Sequence, residues 1–223
     1  MDVLILGQIS SGIAGLTGFI ANLIYLALLL IAIWGAYCVI MVWLRVAQKR
    51  FRDENEQDEF LEKMETLLAH RDFVIATADL DGDMRAMPQL AQLGIVNRSL
   101  GYTRVRQLLI DRFQRDVLGD FEHRLSWVQT VIKAAPMVGL LGTVVGMMGA
   151  FSKLAGQESV KTEALAADIS VALITTACGL AIAIPLVLAT ASINVRIRKM
   201  EDLVATGLTR FLDAFRRSLG GPS

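Results

Sequence analysis

Three long apolar stretches divide the chain and predict its membrane-spanning helices. They cover Leu23 to Leu44, Ala134 to Phe151 and Ile169 to Val195. A helix of about 20 apolar residues crosses the hydrocarbon core of a bilayer. The first and third stretches, of about 22 and about 27 residues, meet that length, and the second, of about 18, is short. The pattern predicts an integral membrane protein with three transmembrane helices.

The largest polar region, residues 45–133, shows the spacing of amphipathic helices. Its apolar residues recur three and four positions apart in two runs. These are Phe60, Leu61, Met64, Leu67 and Leu68, followed by Val105, Leu108, Leu109 and Phe113. We expect packed helices there, with the sequence DLDGDMRAMP as a turn between two of them. Because no alternating β pattern is evident, the fold class is predicted to be all-α, with a helical cytoplasmic domain.

Basic residues set the expected orientation in the membrane. They follow the first span as Arg45, Lys49, Arg50 and Arg52, and the third span as Arg196, Arg198 and Lys199. Lys and Arg are enriched on the cytoplasmic side of spanning helices. We therefore assign residues 45–133 and the C-terminal helix and tail, 196–223, to the cytoplasm. The N-terminal segment, 1–22, and the loop 152–168 are then outside, and the former, without a basic start, is expected to be retained.

Composition supports the membrane class and excludes several others. Hydrophobic residues make up 54% of the chain, and the mean hydropathy is +0.50. Lys plus Arg and Asp plus Glu balance at 22 each, which gives no basic excess for nucleic acid. Cys38 and Cys178 both lie in apolar runs and form neither a disulfide framework nor a metal-binding spacing.

Groups in the polar region that resemble reactive sites have simpler explanations. Asp79, Asp81 and Asp83 lack the spacing of a calcium loop, whose sixth position is Gly and whose twelfth is acidic, so we interpret them as a helix-connecting turn. His70 and His123 belong to no recognisable catalytic motif. The arginines between residues 98 and 115 alternate with acidic residues, which is typical of a solvated helix face. We expect no enzyme activity, no metal site and no soluble cofactor.

Glycines in the second apolar stretch predict close helix packing. Gly142 and Gly146 form a GxxxG pattern, which Gly139 and Gly149 extend, and small residues let membrane helices approach closely. The third stretch carries a complementary row at the same spacing. It consists of Ala172, Thr175, Thr176, Gly179 and Ala183. A phosphate-binding loop is disfavoured because no Lys follows and both flanks are apolar.

Three threonines in these stretches leave two interpretations open. The hydroxyls of Thr143, Thr175 and Thr176 either bond to the backbone of their own helices or face a common narrow ion path. Neither span contains an interior Asp, Glu, Lys, Arg or His, and proton relays in membranes normally use an ionisable residue. If the protein conducts protons, another chain must supply the carboxylate.

Two motifs, KAAPMVGLLGTVVGMMGAF and ISVALITTACGLAIAIPLVLA, resemble the MotA/TolQ/ExbB proton-channel family, most closely its TolQ/ExbB branch. The resemblance implies a stator subunit of the bacterial inner membrane that couples H⁺ or Na⁺ flow to mechanical work. It implies a homo-oligomer, a pentamer in the family, around a single-span ExbD/TolR-like partner with a membrane Asp. A TonB/TolA-like envelope protein is a further candidate partner. Thr143 and Thr176 match the family's pore-facing threonines. The positions that match its structural residues are Pro136, Gly139, Gly142, Gly146 and Pro185.

One position departs from the family pattern and keeps an alternative open. Members of this branch often have Glu where this chain has Val171. Asp168, one turn earlier, and Ser170 are then candidates for ion entry. The departure also favours the alternative of a non-conducting oligomeric scaffold that recruits cytoplasmic partners. An intramembrane enzyme is disfavoured because the spans contain no plausible catalytic pair.

Overall fold

The computed structural model describes residues 2–155 and 162–220, and within them the chain is helical and contains no strand. The described residues form seven α-helices in this order: α1 (Asp2–Lys49), α2 (Glu54–Ala69), α3 (Phe73–Asp79), α4 (Ala86–Val96), α5 (Tyr102–Arg112), α6 (Gly119–Ala155) and α7 (Thr162–Ser218). A 3₁₀ turn (Arg98–Leu100) precedes α5, and a π-helical turn (Phe113–Leu118) joins α5 to α6. Among these residues, three helical segments are long and apolar enough to cross a membrane: Asn22–Lys49 in α1, Tyr102–Ser152, which runs from α5 through the π turn into α6, and Leu165–Ser218 in α7. The all-α membrane class predicted from the sequence is confirmed.

The three long helices extend beyond the apolar stretches that predicted them. Helix α1 has 48 residues, α6 has 37 and α7 has 57. The N-terminal segment is part of α1 from Asp2 onward, and most of the expected 152–168 loop joins α6 or α7. The rest of that loop, residues 156–161, lies outside the described residues, as does the end of the C-terminal tail. Beyond the apolar stretches, α7 continues through charged residues such as Arg196, Arg198 and Lys199, whereas α1 begins in a segment rich in Gly and Ser. Hydropathy alone therefore does not mark the helix ends.

The chain divides into two compact units. The first comprises Met1–Val39 and Leu125–Thr190, and the second Ile40–Arg124 and Ala191–Ser223. In the first unit, apolar side chains of α1 such as Leu29, Ile33 and Tyr37 are more than half exposed. A broad apolar exterior of this kind suits a surface that faces lipid or other protein chains.

Periodic apolar residues form the core of the second unit. Leu61, Met64 and Leu68 of α2 are buried, as are Val105, Leu109 and Phe113 at α5 and the π turn. They share the core with Phe211 and Phe215 from the last turns of α7. The helical periodicity predicted for residues 45–133 is confirmed.

The sequence DLDGDMRAMP connects α3 to α4, as predicted. Gly82 occupies the left-handed region with φ +80°, where a side chain is disfavoured. The Asp83 carboxylate accepts hydrogen bonds from the backbone N–H of Arg85 at 2.9 Å and from its Nε at 3.0 Å. These bonds hold the pKa of Asp83 below its ordinary value. Arg85 also pairs with Glu56 at 2.7 Å and stacks over the Phe51 ring at 4.3 Å, so this turn serves helix packing.

Two contacts in the second unit bind the long helices to their neighbours. Arg210 of α7 reaches Asp58 at 2.7 Å and Glu65 at 3.2 Å, both on α2. The Arg196 guanidinium lies 4.0 Å from the centre of the Trp43 ring. Trp43 lies one residue before the end of the first apolar stretch and Arg196 directly follows the third, so these two ends lie side by side.

Candidate functional site

Helices α6 and α7 touch through their backbones at two glycines. A Cβ atom added at Gly139 of α6 would lie 2.8 Å from the carbonyl oxygen of Thr175 and 3.0 Å from the Cα of Thr176. In the reverse direction, a Cβ added at Gly179 of α7 would lie 2.6 Å from the carbonyl oxygen of Ala135. Backbone atoms cannot rotate away from a new methyl group. Each glycine is therefore required for this helix separation.

Two further glycines accommodate side chains of α7. A Cβ at Gly142 would lie 2.6 Å from the Cβ of Thr175, and one at Gly146 would lie 2.7 Å from the Cβ of Ala172. Gly139, Gly142 and Gly146 are spaced three and four residues apart, which places them on one face of α6. That face lies against the row of small residues on α7.

The three threonine hydroxyls have different hydrogen-bond partners. Thr176 donates across the helix pair to the carbonyl oxygen of Gly139 at 3.1 Å. The Thr175 hydroxyl lies 2.7 Å from the carbonyl oxygen of Ala172 on its own helix and 3.2 Å from that of Gly139. Thr143 donates within α6 to the carbonyl oxygen of Leu140 at 2.7 Å. The Thr143 hydroxyl thus bonds to the backbone of its own helix, whereas the Thr176 hydroxyl forms a hydrogen bond between the two helices.

The threonines also differ in their access to the surface. Thr175 is 1% exposed and is enclosed between the two helices. Thr143 and Thr176 are each half-buried, so their side chains reach the surface of the helix pair. Of the three threonines, Thr176 is the one that combines surface access with an interhelical hydrogen bond.

The candidate entry residues lie at the start of α7. Asp168 is half-buried, and its carbonyl oxygen would be 3.4 Å from a Cβ at Gly146. Ser170 is exposed, and Val171, at the position where an acid was expected from the resemblance, is 39% exposed. Asp168 and Thr176 are eight residues apart, about 12 Å along the helix axis. Asp168 and Thr176 therefore lie at different positions along α7 and do not form a single site.

Pro136 and Pro185 lie inside α6 and α7. Proline has no N–H, so the carbonyl oxygen four residues earlier loses its usual helical donor. Transmembrane helices tolerate this where neighbouring groups compensate. Pro136 is half-buried, and its Cα would lie 3.2 Å from a Cβ at Gly179, whereas Pro185 is exposed.

A glycine of α1 that the sequence analysis did not single out completes the packing of the first unit. A Cβ at Gly35 would lie 2.8 Å from both a Cδ of Leu186 on α7 and a Cγ of Val131 on α6. Gly35 thus allows α1 to contact both other helices. The sequence could have indicated this role. A single glycine inside a helix costs about 1 kcal/mol relative to Ala, and close packing against another helix is a common explanation for it.

Across residues 2–155 and 162–220, no group of three or more His, Cys, Asp or Glu side chains is placed to hold a metal ion. Among the polar groups at the helix pair are the hydroxyls of Thr143, Thr175 and Thr176 and the backbone carbonyl oxygens that they contact.

Comparison with known proteins places this helix pair in a described family. Residues 101–206 match the MotA/TolQ/ExbB proton channel family. The biopolymer transport protein ExbB of Helicobacter pylori is 33% identical over 115 residues, which cover 51% of this chain and 76% of that protein. The chain belongs to the MotA/TolQ/ExbB proton channel family.

Other members of the MotA/TolQ/ExbB family match over shorter parts of their length. The Tol-Pal system protein TolQ of Haemophilus influenzae is 35% identical over 100 residues, 45% of this chain and 44% of that protein. A putative ExbB-like protein of Helicobacter pylori is 40% identical over 81 residues, 36% of this chain and 52% of that protein. The chain thus spans about half the length of these two curated relatives. The family match includes both faces of the α6–α7 glycine contact.

Proposed function

We propose that the chain is a TolQ/ExbB-type stator subunit of the bacterial inner membrane, with the N-terminus outside and the C-terminus in the cytoplasm. It passes protons, or Na⁺, in concert with a single-span ExbD/TolR-like partner and converts the gradient into mechanical work in the cell envelope. The observation that carries this proposal is the half-buried Thr176 hydroxyl, bonded across the helix pair to Gly139 at 3.1 Å. It offers an exchangeable polar group at membrane depth.

The partner supplies the charge that these spans lack. The stretches 134–151 and 169–195 contain no Asp, Glu, Lys, Arg or His, and a carboxylate inside a membrane is costly unless it is paired or protonated. When the partner's Asp is ionised, Thr176 can donate to it instead of to Gly139. When the Asp is protonated, the same hydroxyl can accept a hydrogen bond from its O–H. Protonation thus lowers the cost of moving the Asp past the apolar wall.

Several copies are needed to surround such a partner helix. We propose a homo-oligomer, with a pentamer as in the resembled family, in which the half-buried Thr143 and Thr176 of each copy face the enclosed helix. The exposed apolar side chains of α1 then face lipid or a neighbouring copy. A TonB/TolA-like envelope protein receives the mechanical work.

Ion entry is proposed to use polar groups at the outer end of α7. This chain has Val171 at the position where family members often have Glu. The polar residues nearest to it in the sequence are Asp168 and Ser170. Asp168 would attract a cation toward the helix pair, about 12 Å from Thr176 along the axis. No soluble cofactor takes part in this scheme.

The experiment that tests the proposal compares Thr176→Val with the parent protein. The complex, co-purified with its single-span partner, is reconstituted in liposomes, and dissipation of an imposed pH gradient is measured. We expect loss of flux with assembly preserved, because interhelical hydrogen bonds in membranes contribute only about 0.6 kcal/mol on average. Native mass spectrometry of the same preparation reports the copy number and the partner.

Two variants control for structural damage. Thr190→Val removes a buried hydroxyl of α7 that bonds to its own helix at Leu186 (2.7 Å) and should leave flux unchanged. Thr176→Ser keeps the hydroxyl and should retain flux. Full flux in Thr176→Val would remove this threonine from the pathway. A homo-oligomer that never carries a single-span partner would favour the scaffold function.

A further inference from the structure

The second unit contains a cavity of about 420 Å³ beside the end of α1. Lys49, the last residue of α1, lies at one wall, α4 forms another, and Arg112, Asp116 and Val117 come from the end of α5 and the π turn. This volume lies in the range of small-ligand sites, about 300–1,000 Å³. We call it the α4 cavity.

The polar wall of the α4 cavity contains two cationic side chains, Lys49 and Arg112, and each has a weakly stabilising partner. The Lys49 Nζ donates to the amide oxygen of Gln89 at 2.6 Å. The Arg112 Nε lies 2.7 Å from the Asp116 carboxylate, and these side chains are 60% and 46% exposed. An exposed ion pair contributes about 0–1 kcal/mol. The Gln89 amide carries no charge, and the nearby Arg45 and Asp120 act on Lys49 with opposite signs. The three charged groups sum to one positive charge, which favours an anion.

The remaining wall of the α4 cavity is apolar. It is formed by Leu90, Leu93 and Val96 of α4 and by Val117 of the π turn. Val96 is 58% exposed, whereas Leu90 is 3% exposed, so the apolar lining runs from the core to the surface. A ligand that fits both walls carries an anionic group and an apolar body.

The position of Lys49 along α1 sets its depth in the membrane. The first apolar stretch ends at Leu44, five residues before Lys49, a distance of about 7 Å along the helix axis. The polar headgroup layer on each side of a bilayer is about 5–8 Å thick. Lys49 therefore lies at headgroup level on the side we assign to the cytoplasm, where anionic lipids attract basic residues.

We propose that the α4 cavity binds the headgroup of an anionic phospholipid. Lys49 and Arg112 contact its phosphate, and Leu93, Val96 and Val117 contact the glycerol and the first carbons of the acyl chains. The proposal rests on the membrane spans and the cavity, and it is independent of ion conduction.

The test is native mass spectrometry of the complex in detergent, titrated with short-chain phosphatidylglycerol. We expect Lys49→Gln and Arg112→Gln each to weaken the lipid adduct at least about fivefold, because a charge-assisted hydrogen bond is worth about 1.5–3 kcal/mol. Lys49→Arg should retain binding. Arg115→Gln is the matched control, since Arg115 is an exposed residue of the same π turn outside the cavity lining.

Three results would overturn the proposal. The first is equal binding by the parent and both Gln variants. The second is equal binding of short-chain phosphatidylcholine, which would remove the selectivity for anionic lipid. The third is glycerol phosphate binding as tightly as the lipid, which would assign the cavity to a soluble phosphate compound.

Discussion

Exchanging a glycine of α6 with the alanine that it contacts on α7 tests whether the glycine contact sets the distance between the two helices. In Gly146→Ala, the new Cβ lies 2.7 Å from the Cβ of Ala172, whereas carbon atoms pack best at about 3.5–4.0 Å. The helices must separate locally by about 1 Å, and overpacking of this kind costs about 1–3 kcal/mol. Ala172 is 2% exposed, so its side chain has no free space to move into.

The reciprocal substitution Ala172→Gly removes the opposing methyl group. Alone it costs about 1 kcal/mol, because Gly is a poorer helix former than Ala. In the double variant, the neighbours left to the Cβ at position 146 are the Cα at 172, at 3.2 Å, and the Asp168 carbonyl oxygen, at 3.4 Å. We expect the double variant to be more stable than Gly146→Ala, with a coupling free energy of about 1–2 kcal/mol.

The assay is unfolding in mixed micelles with increasing SDS, followed by fluorescence of the three tryptophans. Gly119→Ala is the control in the same helix, because its Cβ would meet only the Gln114 carbonyl oxygen at an ordinary 3.5 Å. Additive free-energy changes in the double variant would refute the reasoning. They would mean that the two positions are not in contact in the membrane.

Two further predictions concern the second unit. Asp83→Asn should lower stability by about 1 kcal/mol at pH 7 because the bonds to Arg85 are partly exposed. Since Arg85 holds the pKa of Asp83 below its ordinary value of 3.8, this contribution is complete above that value and is lost as the pH falls through the lower folded pKa. Thermal unfolding at pH 7 and pH 3, with exposed Asp81→Asn as control, should show the difference shrinking in acid; a constant difference contradicts this. Gln57→Met should have a free energy of unfolding within about 1 kcal/mol of that of the parent. Gln57 is 3% exposed, and its Nε2 donates a hydrogen bond to the Leu203 carbonyl oxygen at 2.6 Å. Its Oε1 is buried without a hydrogen-bond partner in the structure, so Met loses one bond and removes one unsatisfied oxygen. A loss above 2 kcal/mol in urea unfolding would contradict that balance.

Local patterns of the sequence were sufficient for the helices and their apolar faces. Leu61, Met64 and Leu68 followed from spacing alone, and the glycines of the second stretch already indicated a close helix contact. Helix ends were not predictable from hydropathy, because α1 and α7 continue through polar residues.

Partners that come from distant parts of the chain required the structure. The spacing of Thr143 and Thr176 did not reveal that one hydroxyl bonds within α6 and the other across to Gly139. The contact of Gly35 with α6 and α7 depends on how three separate helices meet. The proximity of Lys49 to Arg112 depends on the packing of α1, α4 and α5.

The π turn at Phe113–Leu118 has a consequence for insertions and deletions in the gene. A π turn accommodates one more residue than an α-helical turn while the helix on either side continues. Loss of one codon within this turn would convert it to an ordinary α-helical turn. The residues of α6 that follow would then keep largely the same sides of the helix. Loss of one codon later in α6, before Gly139, would rotate the remainder of the helix by about 100° and turn its glycines away from α7. The π turn is thus the place in this helix where the chain can change length with the least disturbance to the packing that follows.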